Sequence, residues 1–486
     1  MTNLREISFG ALAAERDVAR GLAAYFVESQ SFQRLKTGIK TIALGNRGSG
    51  KTAIFKMIAE QKRKEGTVVI ELTPEDYSYE LLSQTMTSED RGSWAKQSGY
   101  AAAWKYLIYL LAMKAACNAQ KGLKTGPAKR VYNYLRDNHK GVEINPIGVL
   151  ISYLKRLEGV KLGNLQAAIK AQELQYLYKL EEIDSLLDDL NQICRHFPVI
   201  ILIDELDRGW DASEDAKAFV GGLVQAVTSI DLRTPCIRVM LSLRREIYEN
   251  IPSLHEDAQK VRDIVEFIDW DEKKLFQLIS NRLSFSSPSL ESILPEERWR
   301  AVFESSADSG NIGSFHYIID RTLYRPRELL QYCIEVRNKA LDQNQSLPIN
   351  FNTIFEVEYY YSQERVADIA SEYRFQYPGL LSVLEAFRDF EKTFDRDTLE
   401  LRCIEISIKE IPVDPISIWC FDSTPEQLIN ILWQIGFLQA EIASESNPLT
   451  QWRSKYLGSH QIKLINLMRI HSFQIHPLFY TFLGFE

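Results

Sequence analysis

One octapeptide limits what this chain can fold into: Gly45-Asn46-Arg47-Gly48-Ser49-Gly50-Lys51-Thr52. It matches the spacing G-x-x-x-x-G-K-[ST], in which glycines let the backbone curl with its N–H groups turned inward, as a phosphate requires. Its flanks fit the same geometry. Ile39-Lys40-Thr41-Ile42-Ala43-Leu44 reads as a short buried strand, and Ala53-Ile54-Phe55-Lys56-Met57-Ile58-Ala59-Glu60 has helical periodicity. The helix N-terminus adds the positive end of its dipole. In such a loop Lys51 reaches the β and γ phosphates and the Thr52 hydroxyl takes a place on Mg²⁺. Residues Gly45 through Ala53 are therefore expected to cradle a nucleoside triphosphate.

A second segment completes that chemistry. Val199-Ile200-Ile201-Leu202-Ile203 is a continuously apolar strand that delivers Asp204 and Glu205 to a sheet edge. On a strand neighbouring the P-loop strand, Asp204 would hold Mg²⁺ and Glu205 would orient the attacking water. Alone, two acids after a buried strand carry little information; after a complete P-loop they carry much more. No N/T-K-x-D guanine-reading motif occurs, so ATP is expected rather than GTP.

The chain is 486 residues long, enough for two to four domains. Further strands read at Gly66–Leu72, Ile237–Leu243 and Ile264–Ile268, alternating with helices such as Leu174–Cys194 and Ala216–Ile230. That alternation predicts an α/β fold with a mostly parallel sheet covered on both faces, ligands lying at the strand C-termini. Before the sheet, Ala11–Gln33 has helical spacing. After it, residues 272–343 and Phe355–Tyr373 read as helical. Toward the C-terminus Leu399–Ile408 and Pro425–Ile435 read as helices, Gly436–Ile442 and Trp452–Leu457 as the two arms of a β-wing, and Phe473–Phe479 as the closing segment.

The P-loop, the Asp204-Glu205 pair and the strand-ending Leu243-Arg244-Arg245 together resemble the AAA+/STAND branch of P-loop ATPases. More narrowly, Asp204-Glu205-Leu206-Asp207-Arg208-Gly209-Trp210-Asp211, Gly48-Ser49-Gly50-Lys51-Thr52-Ala53 and Arg325-Pro326-Arg327-Glu328-Leu329-Leu330 are similar to a bacterial family of such ATPases. The resemblance implies a helical lead-in (1–38), an ATPase core (39–75 and 173–270), a basic helical insert (76–172), a helical lid (271–345), a connector (346–375) and a winged-helix-like domain (376–486). It implies ATP and Mg²⁺ as ligands, with Lys51 and Glu205 catalytic. Ser242 and Arg244 match the sensor-1 position, Arg325 or Arg327 looks like a sensor-2 arginine, and Arg262 sits where a finger reaching a neighbouring subunit is often placed. A homo-oligomer, a separate effector protein and a role in bacterial stress response or antiviral defence follow from the same resemblance.

Charge is unevenly spread. Residues 96–173 carry thirteen Lys/Arg against four acids, a net +9, while the remainder of the chain carries −17. With Trp104, Tyr106, Tyr109, Tyr132, Tyr134 and Tyr153 interleaved, this block could track a nucleic-acid backbone and stack bases. Aromatics at helical spacing are more often core, which is the favoured reading; contact with an acidic neighbouring subunit is a third. From Leu381 onward nine bases face fourteen acids, a balance that disfavours phosphate binding and favours protein contact. The seven histidines show no metal-ligand spacing and the six cysteines form no C-x-x-C pair, so a zinc site is not expected. The opening MTNLREISFG lacks a signal-peptide pattern, and no apolar run nears ~20 residues, so a cytoplasmic protein without a membrane span is expected.

Overall fold

The computed structural model describes residues 3–73, 93–139, 148–150, 180–206, 210–251, 254, 258–305, 313–444, 447–454 and 466–485. They divide into two compact units: residues 28–46 with 51–268, and residues 1–27 with 47–50 and 269–486.

The first unit is built on a five-stranded sheet: β1 (Ile42–Gly45), β2 (Val68–Leu72), β3 (Val199–Ile203), β4 (Ile237–Arg244) and β5 (Val265–Phe267), in the order β2-β3-β4-β1-β5. Every pairing is parallel. Every residue of β1 and β3 is buried, which is why both read as unbroken apolar runs rather than alternating ones. The order corrects one expectation. The acid-bearing β3 does not neighbour the P-loop strand; β4 lies between them, so the two are about 10 Å apart across the sheet. Local periodicity cannot show this, because strand order is set by long-range crossovers.

The Lys51–Lys64 helix follows β1 and ends in Lys62, Arg63 and Lys64, charges that suit the negative end of its dipole. Gly66, at φ 83°, then turns the chain into β2. The Ser93–Ala119 helix lies against the Glu214–Arg233 helix within the same core. Tyr100 and Trp104 close on Phe219 at ring-centroid distances of 5.4 and 5.0 Å. Trp104, Tyr106 and Tyr109 are buried, so at these positions the aromatics of the basic block are core. Tyr134 is half-buried, Tyr132 is exposed, and Tyr153 lies outside the described residues. Arg130 pairs with Asp189, joining the Gly126–Asn138 and Leu180–Cys194 helices. The expected start of the latter, residues 174–179, lies outside the described residues.

The second unit is mainly helical. Its longest helices are Glu272–Ser286, Pro326–Asp342 and Phe351–Glu372. The last begins a turn earlier than periodicity predicts, because the Asn350 side chain accepts a hydrogen bond from the Asn352 N–H and caps it. Helices Arg396–Ser407 and Pro425–Gln434 pack beside an antiparallel sheet of β6 (Thr393–Asp395), β7 (Leu438–Ser444), β8 (Asn447–Arg453) and β9 (Ser472–Ile475), ordered β6-β9-β7-β8. The second arm of the hairpin therefore precedes its expected position: Ala440 pairs with Arg453 and Ser444 with Asn447. Lys455 to Leu457 of the expected arm lie outside the described residues.

The N-terminal stretch is three short helices in place of one: Ala14–Val18, Leu22–Tyr25 and Gln30–Thr37. Gly21, at φ 99°, breaks the run. Within the second unit Asp17 is buried and receives the Arg282 guanidinium (2.7 Å), the Tyr25 hydroxyl (2.8 Å) and the Ala11 N–H (2.6 Å). Of the six cysteines, none in a disulfide, five are buried and Cys236 is half-buried. Among the described residues no helix is long and apolar enough to cross a membrane.

Candidate functional site

The phosphate-loop segment begins where β1 ends. Gly48 and Gly50 hold φ values of 80° and 90°, left-handed backbone that a side chain strains. A Cβ on Gly48 would also stand 3.0 Å from the Cβ of Arg327. Lys51 leads the helix, and its ammonium donates to the carbonyls of Gly45 (2.7 Å) and Asn46 (3.0 Å).

The next three carbonyls are held within the second unit. Arg325 Nη1 donates to the Arg47 carbonyl (3.4 Å), the Arg327 N–H to the Gly48 carbonyl (3.3 Å) and Trp270 Nε1 to the Ser49 carbonyl (2.8 Å). A trans peptide points its N–H opposite to its C=O. The N–H groups of Gly48, Ser49 and Gly50 therefore face away from these three donors, as a phosphate cradle needs.

The acid pair stands at the exit of β3. The Asp204 N–H donates to the Leu72 carbonyl at 3.1 Å, and Asp204 Oδ1 accepts from the Glu205 N–H at 2.9 Å. Glu205 has φ 59°, a left-handed conformation that costs a non-glycine residue ~1–2 kcal/mol. Such strain persists only where the surrounding structure over-determines it. On β4, Ser242 stands opposite Ala43 and Arg244 opposite Gly45, so the sensor candidates occupy the strand between the P-loop strand and the acids. Arg244 Nη1 lies 3.7 Å from Glu246 Oε1. Arg262 is exposed on the Ala258–Ile264 helix, where its carbonyl accepts from Lys40 Nζ at 3.1 Å.

Arg325 is deeply buried. It pairs with Glu372 (2.7 Å) and approaches Glu328 (3.5 Å). Burial raises the Glu328 carboxyl above the usual carboxylate range, opposed by the charge of Arg325. Trp270 and Glu372 belong to this arrangement and carry no motif in the sequence. Their contacts to one another's neighbours are distant along the chain, so only the fold brings them together.

The donor set fits a magnesium nucleotide. In the first unit the Ser242 hydroxyl is buried with no hydrogen-bond partner among the described residues, the state expected of a group whose partner is a ligand. Thr52, on the helix after β1, and Asp204, at the exit of β3, carry oxygens of the kind Mg²⁺ takes, an ion that commonly uses one or two protein oxygens and completes its shell with phosphate and water.

Residues 8–70 match the ORC-CDC6-like family model, and residues 273–370 match the model of a FunZ-associated C-terminal helical domain. A putative transposon gamma-delta 80.3 kDa protein of Escherichia coli (strain K12) is 24% identical over 388 residues, 79% of this chain and 54% of that protein. The chain thus spans about half the length of that curated relative. Among solved structures, Aeropyrum pernix ORC2 in ADPNP–ADP complexes aligns over 91% of this chain and 90% of its own, at 11% identity and a TM-score of 0.36. Drosophila ORC bound to DNA aligns over 96% and 91%, at 10% identity and a TM-score of 0.31. The match over 8–70 takes in the whole phosphate loop, and the parallel α/β sheet that the loop follows fits a P-loop nucleotide-binding fold.

Proposed function

We propose that this chain is an ATP-binding and ATP-hydrolysing molecular switch of AAA+/STAND type that signals to partner proteins. One observation carries the reading: Lys51, Asp204, Glu205 and the buried Ser242 hydroxyl all stand at the C-terminal edge of one parallel sheet. Ligands of open α/β sheets bind at that edge. Lys51 would leave its loop carbonyls for the β and γ phosphates, and Glu205 would hold the attacking water in line. Ser242 or Arg244 would register the γ-phosphate, and Arg262 would complete a neighbouring copy's site in a homo-oligomer. Mg²⁺ held by Thr52 and Asp204 would supply charge neutralisation between the phosphates. In this reading 39–75 and 173–270 form the ATPase core, 271–345 the lid, 346–375 the connector and 376–486 a winged-helix-like output domain that meets an effector protein.

Phosphate release and nucleotide binding by the purified chain test this. Lys51→Ala and Asp204→Ala are expected to lose binding. Glu205→Gln is expected to keep it while turnover falls by ~10²-fold or more. Unchanged phosphate release in Glu205→Gln and Lys51→Ala would overturn the proposal.

A further inference from the structure

Three successive carbonyls of the phosphate loop, those of Arg47, Gly48 and Ser49, are taken by donors from one side: Arg325, Arg327 and Trp270. Arg325 also reaches Glu372, the last residue of the Phe351–Glu372 helix. Loop and helix end line one cavity with Arg365 and Asp368. We propose that Arg325 is a positioning residue and not a phosphate ligand: it couples the outer face of the phosphate loop to the C-terminal end of the 351–372 helix, so that filling of the loop by a nucleoside triphosphate is registered there.

Peptide geometry gives the first reason. A group that donates to the Arg47 carbonyl stands on the side opposite the Gly48 N–H, and the N–H side is where phosphate is held. Burial gives the second. Arg325 is 5% exposed and paired with a Glu372 side chain that is 2% exposed, so turning it toward phosphate would strand a buried carboxylate. The third is the state of that carboxylate. Glu372 Oε2 accepts from Arg325, whereas Oε1 is buried with no partner among the described residues. A small shift of the loop that carries Arg325 with it changes the pairing from one oxygen to two, and such a change at the last turn alters how firmly that turn is held. Trp270 and the Arg327 N–H hold the two carbonyls that follow, so the loop moves against a clamp of three donors.

This relay rests on the nucleotide reading above, and one experiment separates the two. Amide hydrogen exchange across residues 365–373 is followed in the full chain, with and without a non-hydrolysable ATP analogue, alongside analogue affinity. In the wild type, the analogue is expected to slow exchange there by about fivefold or more. Lys51→Ala should show neither binding nor slowing. Glu372→Gln should bind within about fivefold of wild type and lose the slowing, and Arg325→Lys should bind equally well and keep part of it. Where Arg325→Lys does not fold, Glu372→Gln decides. An affinity loss in Arg325→Lys as large as that of Lys51→Ala makes Arg325 a phosphate ligand and overturns the relay. So does slowing that persists in Glu372→Gln. Binding without any change at 365–373 in the wild type sinks the relay alone; no binding at all sinks the nucleotide reading and the relay with it.

Discussion

At the scale of single residues, buried polar groups separate those that hold the fold from those poised for a ligand. Asp17 takes three hydrogen bonds, one of them from the buried Arg282. Asp17→Ala would leave a buried guanidinium uncompensated and should cost ~3–5 kcal/mol in denaturant unfolding. Ser242 has a buried hydroxyl without a partner among the described residues, so Ser242→Ala should leave stability within ~0.5 kcal/mol while phosphate release slows. His476 is buried, and burial depresses its imidazole to about 3, with the charge of Arg321 adding to the effect. Its Nδ1 accepts the Leu478 N–H at 3.2 Å, which requires an unprotonated nitrogen. Below the unfolded value of about 6.5 the unfolded chain binds a proton that the folded chain refuses. The His476 contribution is therefore complete above that pH and lost on acidification toward about 3, at ~1.4 kcal/mol per pH unit. Comparing unfolding midpoints of the wild type and His476→Gln at pH 7 and pH 5 checks the slope, which should be shallower in the variant. The loop motif and the acid pair were legible in the sequence because their chemistry needs fixed types at fixed spacing. Glu205's left-handed backbone was not, since glutamate carries no preference for it.

At the scale of elements, close approach decides what glycine does. Gly222 lies where the Glu214–Arg233 helix meets the Ser93–Ala119 helix, and a Cβ there would come within 2.8 Å of the Ala101 nitrogen, the Gln97 carbonyl and the Tyr100 Cβ. Two of those atoms are backbone, so the helices would have to part. Gly222→Ala should destabilise by ~1–3 kcal/mol, read as a lowered thermal midpoint. Gly48→Ala meets both a φ of 80° and the Arg327 Cβ, and should abolish nucleotide binding while the fold survives, as circular dichroism and binding together would show. The sequence could place most strands and helices because hydrophobic period tracks burial. It could not place β4 between β1 and β3, because strand order depends on partners far along the chain.

At the scale of the whole molecule, the charge imbalance was visible at once, but its meaning depends on packing. A positive block whose Trp104, Tyr106 and Tyr109 are core has lost those rings as stacking platforms. ATP turnover is accordingly expected to be flat with and without single- or double-stranded nucleic acid at low salt, where a backbone-tracking ATPase would be stimulated. The cysteines have a practical consequence. Burial lifts the thiols of Cys194 and Cys403 to about 12 and Cys420 to about 11, and raises those of Cys117 and Cys333. Little thiolate forms at these five near neutrality. Cys236 alone is half-buried, immediately before β4 and so at the end of that strand away from Arg244. A maleimide dye added to the unmodified chain should therefore attach there first, tagging the sheet on the margin remote from its chemistry without any cysteine having to be engineered.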